Sequence, residues 1–219
     1  MGAEKPNHKP LTHQRIVQEA VKMADDVGVK GVSMRKLAAQ LDVEAMSLYN
    51  HIANKDQLLS DMVDLVISEI PLPETGKDWR VEMRNRAQAA RAAFIAHPWS
   101  LMLMVSRPNS GMAVLTYVEK TLACLVDAGF DLPAADHAWN AMDSHIYGFT
   151  LQELNFPFAP DEYAESASDH IDMIPVDIFP NLHGMATLVM QREYDGLHDF
   201  EFGLDLVLDG LEKLRTGAA

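Results

Sequence analysis

From Val32 to Leu59 the chain reads VSMRKLAAQLDVEAMSLYNHIANKDQLL, a stretch rich in side chains suited to a polyanion. Ser33 stands at a helix start, where a hydroxyl and free backbone N–H groups hold a phosphate. Arg35 can fork onto guanine or a phosphate, and Asn50 can read an adenine edge. Ser47, Tyr49, His51 and Lys55 can reach backbone oxygens. Ala45 and Met46 offer only apolar contact, for example to a thymine methyl, and Met34 is counted on the same surface. The few cations predict a modest salt dependence per subunit and a need for two half-sites.

Other chemistry is poorly represented. Asp143 with His145, and Asp136 with His137, are the nearest approach to acid–base pairs. Such close neighbours on a helix do not face each other. There is no nucleophile elbow, phosphate loop or clustered metal motif, so no catalytic residue is assigned and the chain is read as a non-enzyme. The nine histidines include no His-x-x-x-His pair on one helix, and neither a metal nor a cofactor is expected.

The whole chain carries a formal charge of −14, yet the charge is unevenly spread. Residues 1–60 hold eight Lys/Arg and seven Asp/Glu, while residues 61–219 hold ten and twenty-five. Local charge sets the field at a contact surface, so only the N-terminal part can approach phosphates, and the acidic remainder helps orient it. At 219 residues, 48% hydrophobic and 23% charged, the chain has the composition of a globular protein. No run approaches the roughly 18 apolar residues of a membrane span. The first thirty residues lack an apolar signal core, and the single Cys124 can form no internal disulfide. A cytoplasmic location without membrane contact is expected.

The elements that must position these residues are helices, because a 3.6-residue hydrophobic period dominates. Thr12 caps a first helix that turns Ile16, Ala20, Met23 and Val27 inward and ends near Gly28. Ser33 caps a second, Ser33–Leu41, and Asp42-Val43 turns it into a third, Glu44–Ile52. Leu37, Ala38, Leu41, Val43, Leu48 and Ile52 close a small core with the first helix, leaving the polar set outside. Asn54, with Gln57 at capping-box spacing, starts a helix running to about Ile70, before Pro71 and Pro73. Further helices are expected at Asp78–Ala96, Trp99–Ser106, Gly111–Ala128, Ala134–Asn155, Val176–Glu193 and Leu197–Arg215, with a disordered acidic loop from Phe156 to about Asp172. The fold class is therefore all-α: a three-helix helix-turn-helix unit (1–58), its polar face suited to DNA, joined to a larger helical part (59–219). Spacing alone also fits a helical adaptor that binds protein.

The run Val32-Ser33-Met34-Arg35-Lys36-Leu37-Ala38, Leu41-Asp42-Val43, Ser47-Leu48-Tyr49-Asn50-His51-Ile52 and Asn54-Lys55-Asp56-Gln57-Leu58-Leu59 closely resembles the N-terminal domain of the tetracycline-repressor (TetR) family. The resemblance implies a homodimeric, ligand-responsive transcription factor, usually a repressor, with Arg35, Tyr49, His51 and Lys55 at the family's DNA-contacting positions. Asp42 stands where the family commonly has glycine, and Ile52 replaces a common aromatic. With Ala45 and Met46 also offering few hydrogen-bonding groups, the operator sequence is unreadable.

His97-Pro98-Trp99, the run Ala141–Glu153 and the run Phe200–Leu206 resemble the family's C-terminal domain. This implies that 1–58 is a DNA-binding domain and 59–219 a ligand-binding and dimerisation domain, with a four-helix dimer interface from the long helix (134–155) and the last helix (197–215) of each subunit, and hence a near-palindromic operator. On the last helix, Leu204, Val207, Leu208, Leu211 and Leu214 form a stripe read as facing the subunit's own core. The long helix is apolar on several faces, which predicts two layers around it. A small, largely apolar effector is expected between the short apolar helix and the long helices. Met102, Met104, Trp139, Met142, Ile146 and Phe149 are the candidate walls, with His97 and Asp143 among the polar anchors. Tetracycline repressors bind a drug–magnesium chelate, but no chelating set aligns here residue by residue.

Overall fold

The computed structural model describes residues 10–158, 160–196 and 199–217. Among them there are helices and turns and no strand. The helices are α1 (His13–Val27), α2 (Met34–Leu41), α3 (Ala45–Leu48), α4 (Lys55–Ile67), α5 (Trp79–Ala96) and α6 (Pro98–Ser106). They continue with α7 (Met112–Asp127), α8 (Leu132–Leu154), α9 (Pro160–His170), α10 (Pro180–Met190) and α11 (Phe200–Thr216).

The N-terminal helices start where side chains can accept their orphan N–H groups. Thr12 accepts from Arg15, Ser33 from Lys36 and Asn54 from Gln57. Gln57 reaches back to the Ala53 N–H, one residue before the cap, so the reciprocal bond is a shifted capping box. Ile16, Ala20, Leu37, Leu41, Leu48 and Ile52 are buried together and close the head. Val27 is 60% exposed, contrary to expectation; it sits beside the Gly31 turn, where a Cβ would lie 2.6 Å from its Cγ2. Asp42 adopts the left-handed conformation (φ 56, ψ 49) that the family's glycine would take, and its N–H closes the end of α2 on Ala38 and Ala39.

Several boundaries differ from the sequence reading. The third helix is a single turn, Ala45–Leu48, followed by hydrogen-bonded turns through Ile52 rather than helix over Glu44–Ile52. α4 stops at Ile67, not Ile70. The segment expected as a disordered loop carries α9, because Tyr163 packs on Phe156 and Phe158 and α9 lies against α10. α10 starts only at Pro180, whose ring fixes the first helical φ and needs no hydrogen bond there.

α4 joins head to body: it packs on α1 from one side and on α6 and α7 from the other. Three polar links fix it. His13 meets Asp61 at 2.9 Å, Arg107 meets Asp56 at 2.9 Å, and the Val114 N–H donates to Asp64 at 2.9 Å. Gly111 is required at this last contact, since a Cβ there would fall 2.1 Å from Asp64 Oδ1. In the body, α8 packs on α5, α7 and α11. Arg80 and Arg84 of α5 pair with Asp209, Glu201 and Asp205 of α11, aligning the two helices. α8 and α11 meet closely at Gly203, where a Cβ would lie 2.4 Å from the His145 ring.

Leu204, Leu208 and Leu211 are buried in the chain's own core, as their stripe implies, whereas Leu214 is 51% exposed. Within one chain α8 is not buried all round: Ala141, Ser144, Gly148 and Leu151 are exposed. α11 likewise leaves Phe202, Leu206, Gly210 and Leu214 in solvent. No described helix is long and apolar enough to cross a membrane.

Candidate nucleic-acid interface and effector site

The head divides its side chains by burial. Leu48 is fully buried and anchors the α3 turn, while Met46 is 74% exposed and Tyr49, Asn50 and His51 stand outside. Arg35 and Lys55 are exposed at the starts of α2 and α4. Within the described chain the side chains of Arg35, Tyr49, Asn50, His51 and Lys55 make no hydrogen bond or ion pair. Lys36 differs, because its ammonium is tied to the Gly31 carbonyl at 3.2 Å. Ser33 uses its oxygen to cap α2 at 3.3 Å, and its hydroxyl hydrogen can still be donated to a phosphate. Two expected members sit deeper. Met34 and Ala45 are half-buried against the head core, each in the first turn of a helix that leans on it, and Ser47 is half-buried as well.

A buried turn flanked by free donors, with the starts of α2 and α4 presenting unsatisfied backbone N–H groups, can meet phosphates and base edges together. The short α3 and its following turns suit insertion in a groove.

The body holds a different arrangement. Arg86 of α5 is 1% exposed and donates from Nη2 to Asp143 Oδ1 of α8 at 2.6 Å. Asp143 Oδ2 accepts from Trp139 Nε1 at 2.7 Å and from the Tyr147 hydroxyl at 2.9 Å. The Tyr117 ring of α7 lies against the guanidinium, 4.5 Å from its carbon. Burial works against the Arg86 charge, but the Asp143 carboxylate beside it favours the charged form and its pKa is raised. Burial pushes both the Tyr117 and Tyr147 phenols above their ordinary range, so both hydroxyls stay neutral. Among the described residues Arg86 Nε and Nη1 have no hydrogen-bond partner, although the Tyr117 hydroxyl lies nearby. An unpaired buried donor costs about 1–3 kcal/mol.

The expected effector residues fall into three groups. Trp139, Met142, Asp143 and Ile146 share the inner side of α8 around this cluster, and half-buried Met104 packs against the same core. Met102 is 51% exposed, because its position on α6 turns it away from the core. Phe149 lies on the far side of α8, in contact with His145 and Phe200 and lining an open cleft of ≈ 1210 Å³ with Arg91 and Tyr194. His97 is a junction residue: Nδ1 meets Asp25 of α1 at 2.8 Å and Nε2 meets Glu69 at 3.4 Å. Trp99 Nε1 donates to the same Asp25 oxygen at 2.7 Å.

Arg86, Tyr117 and Tyr147 were missed by sequence reasoning. One signal was available, since Arg86 interrupts the buried stripe Met83, Ala87, Ala90 and Phe94 on α5. Among the described residues no group of three or more His, Cys, Asp or Glu side chains is gathered for a metal.

Comparison with known proteins agrees with this architecture. The model of bacterial regulatory proteins of the tetR family matches residues 16–62, and the tetracyclin repressor-like C-terminal domain matches residues 72–215. The HTH-type transcriptional repressor DrrR1 of Streptomyces coeruleorubidus is 31% identical, over 93% of this chain and 78% of that protein. An HTH-type transcriptional regulator of Saccharopolyspora erythraea is 34% identical, over 80% of this chain and 75% of its own. The crystal structure of the TetR family protein ActR of Streptomyces coelicolor in complex with actinorhodin superposes with a TM-score of 0.80 at 27% identity, covering 94% of this chain and 99% of that one. The chain belongs to the TetR family of transcriptional regulators.

Proposed function

We propose that the protein is a homodimeric repressor that binds a near-palindromic operator and releases it when a small, largely apolar molecule enters the body. The observation that carries this reading is the set of exposed, internally unpaired side chains around α3: Arg35, Tyr49, Asn50, His51 and Lys55. Ser33, Met34, Ala45, Met46 and Ser47 complete the DNA-facing surface, with Met34 and Ala45 as its apolar floor. A similar protein named as a repressor supports repression, and a neighbour solved with actinorhodin supports a small-molecule ligand.

The dimer is read from two exposed stripes. Ala141, Ser144, Gly148 and Leu151 on α8 lie beside Phe202, Leu206, Gly210 and Leu214 on α11. Small residues let helices approach closely, and the large apolar ones bury against a second copy. The assignment of residues 1–58 to DNA binding and 59–219 to effector binding and dimerisation puts the boundary inside α4. That helix is the proposed lever: a ligand that binds the body better in the non-binding geometry shifts the population, by about 1–3 kcal/mol for typical coupling.

Light scattering on the purified protein is expected to give twice the 24.3 kDa chain mass. Binding to fragments of its own genome is expected to enrich a near-palindromic sequence. A stable monomer, or no enrichment over random DNA, would contradict the proposal.

A further inference from the structure

The buried cluster of α5, α7 and α8 carries an inference about effector chemistry, resting on the effector-site reading above. Arg86 is 1% exposed, yet among the described residues only one of its three nitrogens has a hydrogen-bond partner. Asp143 reaches only one of them: its Oδ1 takes Arg86 Nη2, while Oδ2 takes both Trp139 and Tyr147. Tyr117 covers one face of the guanidinium. Nε and Nη1 are thus buried without a hydrogen-bond partner among the described residues, although the Tyr117 hydroxyl lies beside the guanidinium. Trp139 and Tyr147, which both donate to Asp143, are half-buried.

The charge of the cluster selects the kind of acceptor. Asp143 already balances Arg86, so a carboxylate entering here would leave one buried negative charge uncompensated beside Asp143. A carbonyl oxygen offers two lone pairs and adds no net charge. The surrounding rings of Tyr117, Trp139 and Tyr147 suit a flat apolar skeleton around it. We infer that Arg86 is the polar anchor of the effector site and that it selects neutral, ring-bearing carbonyl compounds over carboxylic acids.

Three probes on one skeleton test this: 9-fluorenone, fluorene and 9-fluorenecarboxylate, each titrated by calorimetry into the full chain. The wild type is expected to bind fluorenone about tenfold or more tighter than either other probe, the effect of one or two hydrogen bonds. Arg86→Lys loses the Nε donor and the planar fork, and is expected to bring fluorenone and fluorene within about threefold of each other. If that variant melts below the assay temperature, the double variant Arg86→Met with Asp143→Leu replaces the pair by apolar groups and is expected to show the same loss of preference.

Tightest binding of the carboxylate would overturn the inference in favour of an anionic effector. Failure of all three probes to bind, or a fluorenone preference that survives in a folded variant, would overturn it outright. Operator binding by the same wild-type sample separates the two readings. If it persists while fluorenone does not bind, only the present inference falls; if it is absent, the repressor reading itself fails.

Discussion

Head and body handle polar groups in opposite ways. In the head, Arg35, Tyr49, Asn50 and His51 are left in water around a small apolar core. A group left in water has no desolvation cost until a partner arrives. In the body, Arg86, Asp143 and Tyr117 are drawn inside, where each unmet hydrogen bond weighs on stability. The first arrangement suits an opportunistic surface that meets DNA. The second is conditional: the fold holds it in a state that a suitable occupant would improve. α4 lies between them, with Asp61 facing the head and Asp56 and Asp64 facing the body.

The contrast can be broken at several points. The largest stability loss is expected for Arg86→Met, which strands Asp143 inside the body; about 3–5 kcal/mol should disappear in a urea unfolding curve. Gly111→Ala comes next. Its Cβ would collide with Asp64, so the Asp64–Val114 link should break. A loss of about 1–3 kcal/mol is expected. The same variant should weaken the dependence of operator affinity on any effector while leaving operator binding itself intact.

A smaller effect involves Cys124, whose buried thiol is pushed up to about 11. Its folded pKa lies above its unfolded one, so its stabilising contribution is complete below about pH 8.5 and is lost as pH rises through the folded value. Urea midpoints between pH 8 and 10.5 should fall with pH, and less steeply in Cys124→Ala. The smallest effect has the opposite sign. Asp42→Gly relieves a left-handed aspartate at the end of α2 and should stabilise the protein by about 0.5–1 kcal/mol.

How much of each region was legible follows from the same contrast. The head was readable because its signals are local. Thr12, Ser33 and Asn54 cap the helices that follow them, and the buried set from Leu37 to Ile52 spans few residues. Even so, the third helix is read too long from the sequence, since the helical pattern continues through turns that end at Ile52. The body was only partly readable. The Arg86–Asp143 pair joins residues 57 apart, and no spacing rule connects them. His97 and Phe149 looked like pocket residues by type, yet one is held by Asp25 across the α1–α6 contact and the other by His145 and Phe200 behind α8. The aromatic contacts that fold residues 156–170 were hidden by the acids and prolines around them.

The central claim is that the side chains left unpaired around α3 read duplex DNA while contributing nothing to folding. Fluorescence anisotropy with the selected operator tests it most directly, comparing the wild type with Arg35→Ala and Tyr49→Ala at one salt concentration. Each variant is expected to bind about tenfold or more weakly and to unfold within about 0.5 kcal/mol of the wild type. Unchanged operator affinity in both folded variants would contradict the account.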